Sequence, residues 1–146
     1  MHFPTRESLL DEVLSTFART LTDALHDRVA SGSGLKASLT AHLAVLAEHE
    51  ALYRSFLLEG PAFGQAFRVG WTGIQSAVSA HLAEAVASEG RVKPMPHHLL
   101  FNTWIGLVNH YVLHRDLFAP GRSSLATHGP VLIDHFMQLI TYERTL

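Results

Sequence analysis

Apolar residues recur along this chain at steps of three and four, the spacing that lines one face of an α-helix. Leu10, Val13, Leu14, Phe17, Leu21, Leu25 and Val29 follow it, while Glu12, Arg19, Thr22 and Asp27 fall largely elsewhere. The pattern predicts a long helix with one buried stripe. Thr5, following Pro4, is placed to cap its start, with Glu7 in the first turn where negative charge suits the helix dipole. Ser31-Gly32-Ser33-Gly34 ends it near Ala30. From Leu35 to about Ala47, Leu39, Leu43 and Leu46 repeat the helical step, and after a bend at Glu48-His49-Glu50 it resumes at Leu52, Tyr53, Phe56 and Leu57. Two short helices are expected here, the second stopped by Gly60-Pro61.

Residues 62–89 form the next long unit, with Phe63, Phe67, Trp71, Ile74, Val78, Leu82 and Val86 on one stripe, and Gly90 stops it. Gly64, Gly70 and Gly73 on this unit mark either close packing or a weak point. Two prolines make Arg91–Pro96 a loop. Leu100, Trp104, Leu107, Val108 and Tyr111 then mark a helix ending near Phe118, and Pro120-Gly121 turns the chain. A last helix is expected after Pro130 through Leu132, Phe136, Leu139 and Ile140, preceded at most by a short turn at residues 124–127. No segment alternates with the period of a half-buried strand. The fold class is therefore all-α, a bundle of about seven helices without the fixed period of a solenoid.

At 146 residues, 47% of them hydrophobic and 16% charged, the chain fits one domain spanning 1–146 with a packed core. Its 11 Lys and Arg against 13 Asp and Glu leave no basic patch able to neutralise several phosphates, so the chain alone should bind DNA poorly. Absence of cysteine removes disulfide and thiolate chemistry and fits a reducing, cytoplasmic setting. No secretory leader or membrane span is expected.

The opening His2-Phe3-Pro4-Thr5-Arg6-Glu7-Ser8-Leu9-Leu10 resembles the segment that leaves the helix-turn-helix of TetR-family transcription regulators. His49-Glu50-Ala51-Leu52-Tyr53-Arg54, with Glu59 beyond it, and Trp104-Ile105-Gly106-Leu107-Val108-Asn109-His110-Tyr111 are similar to parts of that family's regulatory domain. The resemblance covers nearly the whole chain. It implies a TetR-regulatory-domain-like fold, a homodimer and a small-molecule effector bound inside the bundle. Because such regulators carry their DNA reader ahead of the Phe-Pro-Thr-Arg segment, no DNA-binding domain is expected in this chain, whether it is a truncated regulator or a stand-alone sensor.

For such a pocket the expected walls are Phe17, Leu21, Tyr53, Phe56, Phe67 and Trp71, with Phe101 and Ile105 from the following helix, a set that favours an apolar or aromatic ligand. Core packing alone would also account for any one of these aromatics. Asn102, Asn109, His110 and Tyr53 are the candidate polar contacts, Asn102 and Asn109 sharing a face seven residues apart. Eleven histidines are scattered along the chain. His110 and His114, four apart, are the one pair with metal-ligand spacing, and two ligands do not make a site. Glu48 or Glu59 could meet His110 in the interior, yet there is no phosphate loop, nucleophile motif or zinc motif, so neither an enzyme nor a cofactor is expected.

The two long helices near 97–118 and 130–143 carry apolar residues on more than one face, a surplus that calls for a partner. Trp104, Leu107, Val108, Tyr111, Leu132, Phe136 and Leu139 are the expected contacts of a four-helix bundle between two copies, with Arg115 and Asp116 at its rim. A histidine-based metal or haem protein and a ligand-free dimeric interaction module are the competing readings.

Overall fold

The computed structural model describes residues 5–32 and 34–142. Seven α-helices follow in order: α1 (Arg6–Ala30), α2 (Leu35–Glu48), α3 (Glu50–Glu59), α4 (Gln65–Ser88), α5 (His97–Leu113), a single turn α6 (Arg115–Phe118) and α7 (Ser124–Ile140), with a 3-10 turn at Gly60–Phe63. The class is all-α. Among the described residues there is no strand, and no helix is long and apolar enough to cross a membrane.

Local chemistry sets both ends of α1. Thr5 Oγ1 accepts the Ser8 amide at 3.0 Å, and Ser8 Oγ donates back to the Thr5 carbonyl at 2.9 Å. Met1–Pro4 lie outside the described residues, as does the Glu7 side chain. Gly32, at φ 67°, terminates α1 in the left-handed conformation that side chains resist. The bend expected at Glu48-His49-Glu50 is present: His49 leaves helical geometry while its amide still bonds Val45 and its carbonyl accepts from Tyr53.

Three expectations are corrected. The helix expected to run to Phe118 breaks at His114, because Phe118 turns back to stack on Tyr111 with ring centroids 4.3 Å apart. In a straight helix seven residues advance about 10.5 Å, too far for that contact. The last helix does not begin after Pro130 but contains it. Ser123 caps the start, its Oγ accepting the Ala126 amide at 3.1 Å. Pro130 and Ala126 are both exposed, so water can serve the carbonyl that proline leaves without a donor. Val13, placed by its spacing in the buried stripe of α1, is 40% exposed.

The core sits where α1 packs on α2 and α4, α2 on α7, and α5 on α3 and α7. Trp104, Val108, Leu132 and Phe136, expected to meet a second copy, are instead buried in this chain's own interior. The apolar face of α5 is covered chiefly by α7 and α3, and the Trp104 and Phe136 rings lie 5.1 Å apart. Of the expected contact set, only Leu107 and Tyr111, half-buried, and Leu139, exposed, remain toward the surface. Arg115 is half-buried and Asp116 exposed.

Two polar groups are built into this core. The Glu50 carboxylate, 4% exposed, accepts from Ser123 Oγ at 3.0 Å and from the Ser124 and Leu125 amides at 3.0 and 2.8 Å, closing the N-terminus of α7. His42 Nδ1 accepts from Trp104 Nε1 at 2.9 Å, tying α2 to α5. Burial pushes the His42 imidazole down from 6.5 to about 4, which keeps it neutral and able to accept. A single antiparallel bridge between Val92 and Thr141, with Lys93 N to Ile140 O at 2.7 Å and Tyr142 N to Arg91 O at 2.9 Å, fastens the α4–α5 loop to the end of α7.

Three expectations follow. Glu50→Ala should cost about 3 kcal/mol in urea unfolding, since it strands buried amides at a helix start. Lys36→Ala, which removes the exposed ion pair with Asp134, should cost less than about 0.5 kcal/mol. For His42, the unfolded chain takes up a proton near 6.5 that the folded chain refuses until about 4. Its share of the stability is therefore intact above about pH 6.5 and is lost progressively as pH falls toward 4, by up to about 3 kcal/mol. His42→Gln should flatten that part of the stability–pH curve.

Candidate functional site

The aromatic residues expected to wall a pocket do come together. Phe17 of α1 lies 6.3 Å from Tyr53 and 5.7 Å from Phe56, both on α3, while Trp71 of α4 is 5.7 Å from Tyr53, Phe56 and Phe67 alike. Phe63 joins through Phe67 at 5.7 Å. These rings fill the space between α1, α3 and α4 by packing on one another, and Leu21 is buried in the same core. They form a wall, not an empty chamber, because offset and edge-on aromatic contacts leave little room between the rings.

The polar candidates separate. Tyr53 is deeply buried and donates its hydroxyl to Asn109 Oδ1, linking α3 to α5; burial raises the phenol above its ordinary range, so it stays protonated. Asn102, seven residues earlier on α5, is exposed, as is His110, while Ile105 is half-buried. Sharing a face did not bring Asn102 inward: it is exposed where Asn109 is half-buried. Glu48 and Glu59 are exposed and make no hydrogen bond to His110.

Open space lies beside the wall. The groove between α4 and α5 has a volume of about 480 Å³, with Trp71 and Phe101 contributing aromatic surface and Thr72, Gln75, Ser79 and His97 contributing polar groups. Small residues Ser76, Ala80 and Ala83 complete its α4 side, which is why the two helices leave a gap there. His97 Nε2 is 2.9 Å from the Ser79 carbonyl. A carbonyl only accepts, so Nε2 carries the hydrogen, and Ser79 Oγ lies 3.1 Å from the same nitrogen. Gln75 Oε1 is buried and has no hydrogen-bond partner.

Sequence reasoning placed Trp71 and Phe101 at a site and missed Thr72, Gln75, Ser79 and His97. A signal existed: Thr72, Ser76, Ser79, Ala80 and Ala83 recur at three and four, a stripe of small and polar residues alongside the apolar one.

Two further openings border the same aromatic wall. One, of about 390 Å³, lies over Leu9, Val13, Phe17, His49 and Leu52 with Glu12 at its side. The other, of about 260 Å³, is lined by Phe56, Phe67, Trp71 and Arg68. The His110 and His114 rings lie tilted against each other with centroids 4.6 Å apart, and among the described residues no group of three or more His, Cys, Asp or Glu could hold a metal ion. No family model matches the chain, and neither the curated proteins nor the solved structures contain a match to it.

The wall's packing can be checked at Gly60, where a Cβ would run into the Phe67 ring. Gly60→Ala should therefore destabilise by about 1–3 kcal/mol and perturb Trp71 fluorescence. Gly73→Ala, on an exposed helical position with nothing near its added Cβ, should stabilise by up to about 1 kcal/mol. Thermal melts of the two variants should move in opposite directions.

Proposed function

We propose that this chain is the effector-sensing and dimerisation domain of a TetR-type transcription regulator, taking a small apolar or aromatic molecule in the groove between α4 and α5. One observation carries the reading: a packed aromatic wall opens at Trp71 onto an uncharged groove of about 480 Å³ between two helices joined by few other contacts. A ligand there touches α4, which packs chiefly on α1, and α5, which packs chiefly on α7 and α3. Its binding free energy differs between arrangements in which those groups sit closer or farther apart, and this differential is what a sensor requires.

Dimerisation is assigned to the outward faces of α5 and α7. With Trp104, Val108, Leu132 and Phe136 committed to the core, the surface for a second copy is built from Leu107, Tyr111 and Leu139 together with Leu99 and Val131, the last at 69% exposure. Exposed apolar residues on two adjacent helices suit an isologous four-helix contact. In this reading the domain is cytoplasmic and non-catalytic, needs no cofactor, and affects DNA only through a helix-turn-helix module outside residues 1–146.

Native mass spectrometry of freshly purified protein, under gentle and then denaturing conditions, tests it. The expected result is a dimer that releases a small organic molecule on denaturation, with Leu139→Glu and Val131→Glu together weakening the dimer at least about tenfold. A retained metal in place of an organic molecule would move the function to His110 and His114. An empty monomer would overturn the proposal.

A further inference from the structure

Where α5 ends, two exposed histidines stand one helical turn apart. The His114 amide bonds the His110 carbonyl at 3.1 Å, so the backbone holds the two side chains at i and i+4 although α5 stops there. Their ring centroids lie 4.6 Å apart at 52°. Phe118 backs them, 5.6 Å from His110 and 6.5 Å edge-on to His114, which narrows the rotations open to both rings.

Other histidines have a ring nitrogen engaged by the protein. His42 Nδ1 is taken by Trp104, His81 Nδ1 by the Ala77 carbonyl at 2.8 Å, His97 Nε2 by Ser79 and His128 Nε2 by the Phe118 carbonyl at 2.8 Å. Among the described residues no hydrogen bond engages the His110 or His114 ring. A neutral imidazole of this kind keeps a lone pair for a metal ion. Metal–nitrogen bonds of about 2.0–2.1 Å put each ring centroid about 3.2 Å from the ion, so two imidazoles bound at about 90–110° have centroids about 4.5–5.2 Å apart. The 4.6 Å separation lies inside that range, whereas His26 and His81, 6.1 Å apart and nearly perpendicular, lie outside it. The C-terminal end of α5 adds the negative end of its dipole, which favours a cation there, and the adjoining charges of Arg115 and Asp116 are opposite in sign.

We propose that His110 and His114 form a two-imidazole chelate for a divalent late transition metal, Ni²⁺, Cu²⁺ or Zn²⁺. Imidazole suits these ions, while Mg²⁺ and Ca²⁺ prefer oxygen. With two protein ligands the remaining coordination positions belong to water, so the ion exchanges with its surroundings and is not locked into the fold as a structural zinc is. The site is independent of the sensor reading, since neither histidine borders the α4–α5 groove.

Isothermal calorimetry with Ni²⁺ in a non-chelating buffer tests the proposal on the unmodified chain, with His110→Ala, His114→Ala and the double variant beside it. Both positions are exposed, so the variants should fold as the parent does. The expected result is one principal Ni²⁺ site per chain, weakened at least about tenfold by either single substitution, with the double variant losing little more, because a chelate needs both rings. Mg²⁺ should give no heat. Single variants that keep their affinity, or losses that simply add in the double variant, would mean separate imidazoles and overturn the chelate. Mg²⁺ binding as tight as that of Ni²⁺ would replace imidazole coordination with charge alone and overturn the metal class. Absence of Ni²⁺ binding would overturn the site outright. None of these results bears on whether the groove retains an organic molecule, so the sensor reading stands or falls separately.

Discussion

The Glu50 carboxylate is a buried charge with two helix starts for company. It belongs to the first turn of α3 and at the same time accepts two amides and a hydroxyl at the first turn of α7, seventy-odd residues away in sequence. Burying an ionised group is expensive unless its oxygens are filled, and here three donors fill them, aided by the positive ends of both helix dipoles. The arrangement leaves α7 little freedom: its N-terminus must sit beside α3, and its body then lies across α2 and α5. Pro130 inside α7 becomes tolerable because this end is already held.

From that placement the rest of the interior follows. Phe136 of α7 meets Trp104 of α5, whose indole N–H is taken by His42 of α2, so one aromatic residue joins three helices. At the far end of α7 the Val92–Thr141 bridge fastens the loop that leads into α5. Thus α2, α5 and α7 form one well-tied group. The aromatic wall of α1, α3 and α4 forms another, joined to the first by the packing of α1 and α4 on α2 and of α3 on α5, with the Tyr53–Asn109 hydrogen bond at the second of these. The α4–α5 groove lies on the boundary between these groups, where small side chains on α4 prevent close approach.

Several features were legible before any coordinates. The step of three and four located every long helix, Thr5 announced its cap, and the polar cluster at Glu48-His49-Glu50 announced its bend, because these depend on neighbours within about one helical turn. The aromatic set Phe17, Tyr53, Phe56, Phe67 and Trp71 was also readable as one cluster, since each sits on the apolar stripe of its own helix. Glu50 was read as part of a bend and not as a cap, because its partners Ser123, Ser124 and Leu125 come from a segment that no local pattern connects to it.

The sequence by itself determined which face of each helix is apolar and roughly where each helix stops, for hydrophobic spacing and capping are properties of a single segment. Only the tertiary structure decided what covers each face. Trp104, Val108, Leu132 and Phe136 are equally apolar whether a partner or the same chain buries them, and it is the packing of α7 on α5 and α2, held by Glu50 and His42, that claims them for the chain's own core. The same holds for the groove: the aromatic residues themselves close up, and the open volume falls beside them at Gln75 and His97, because free space is set by the distance between two helix axes, a quantity that no single helix encodes.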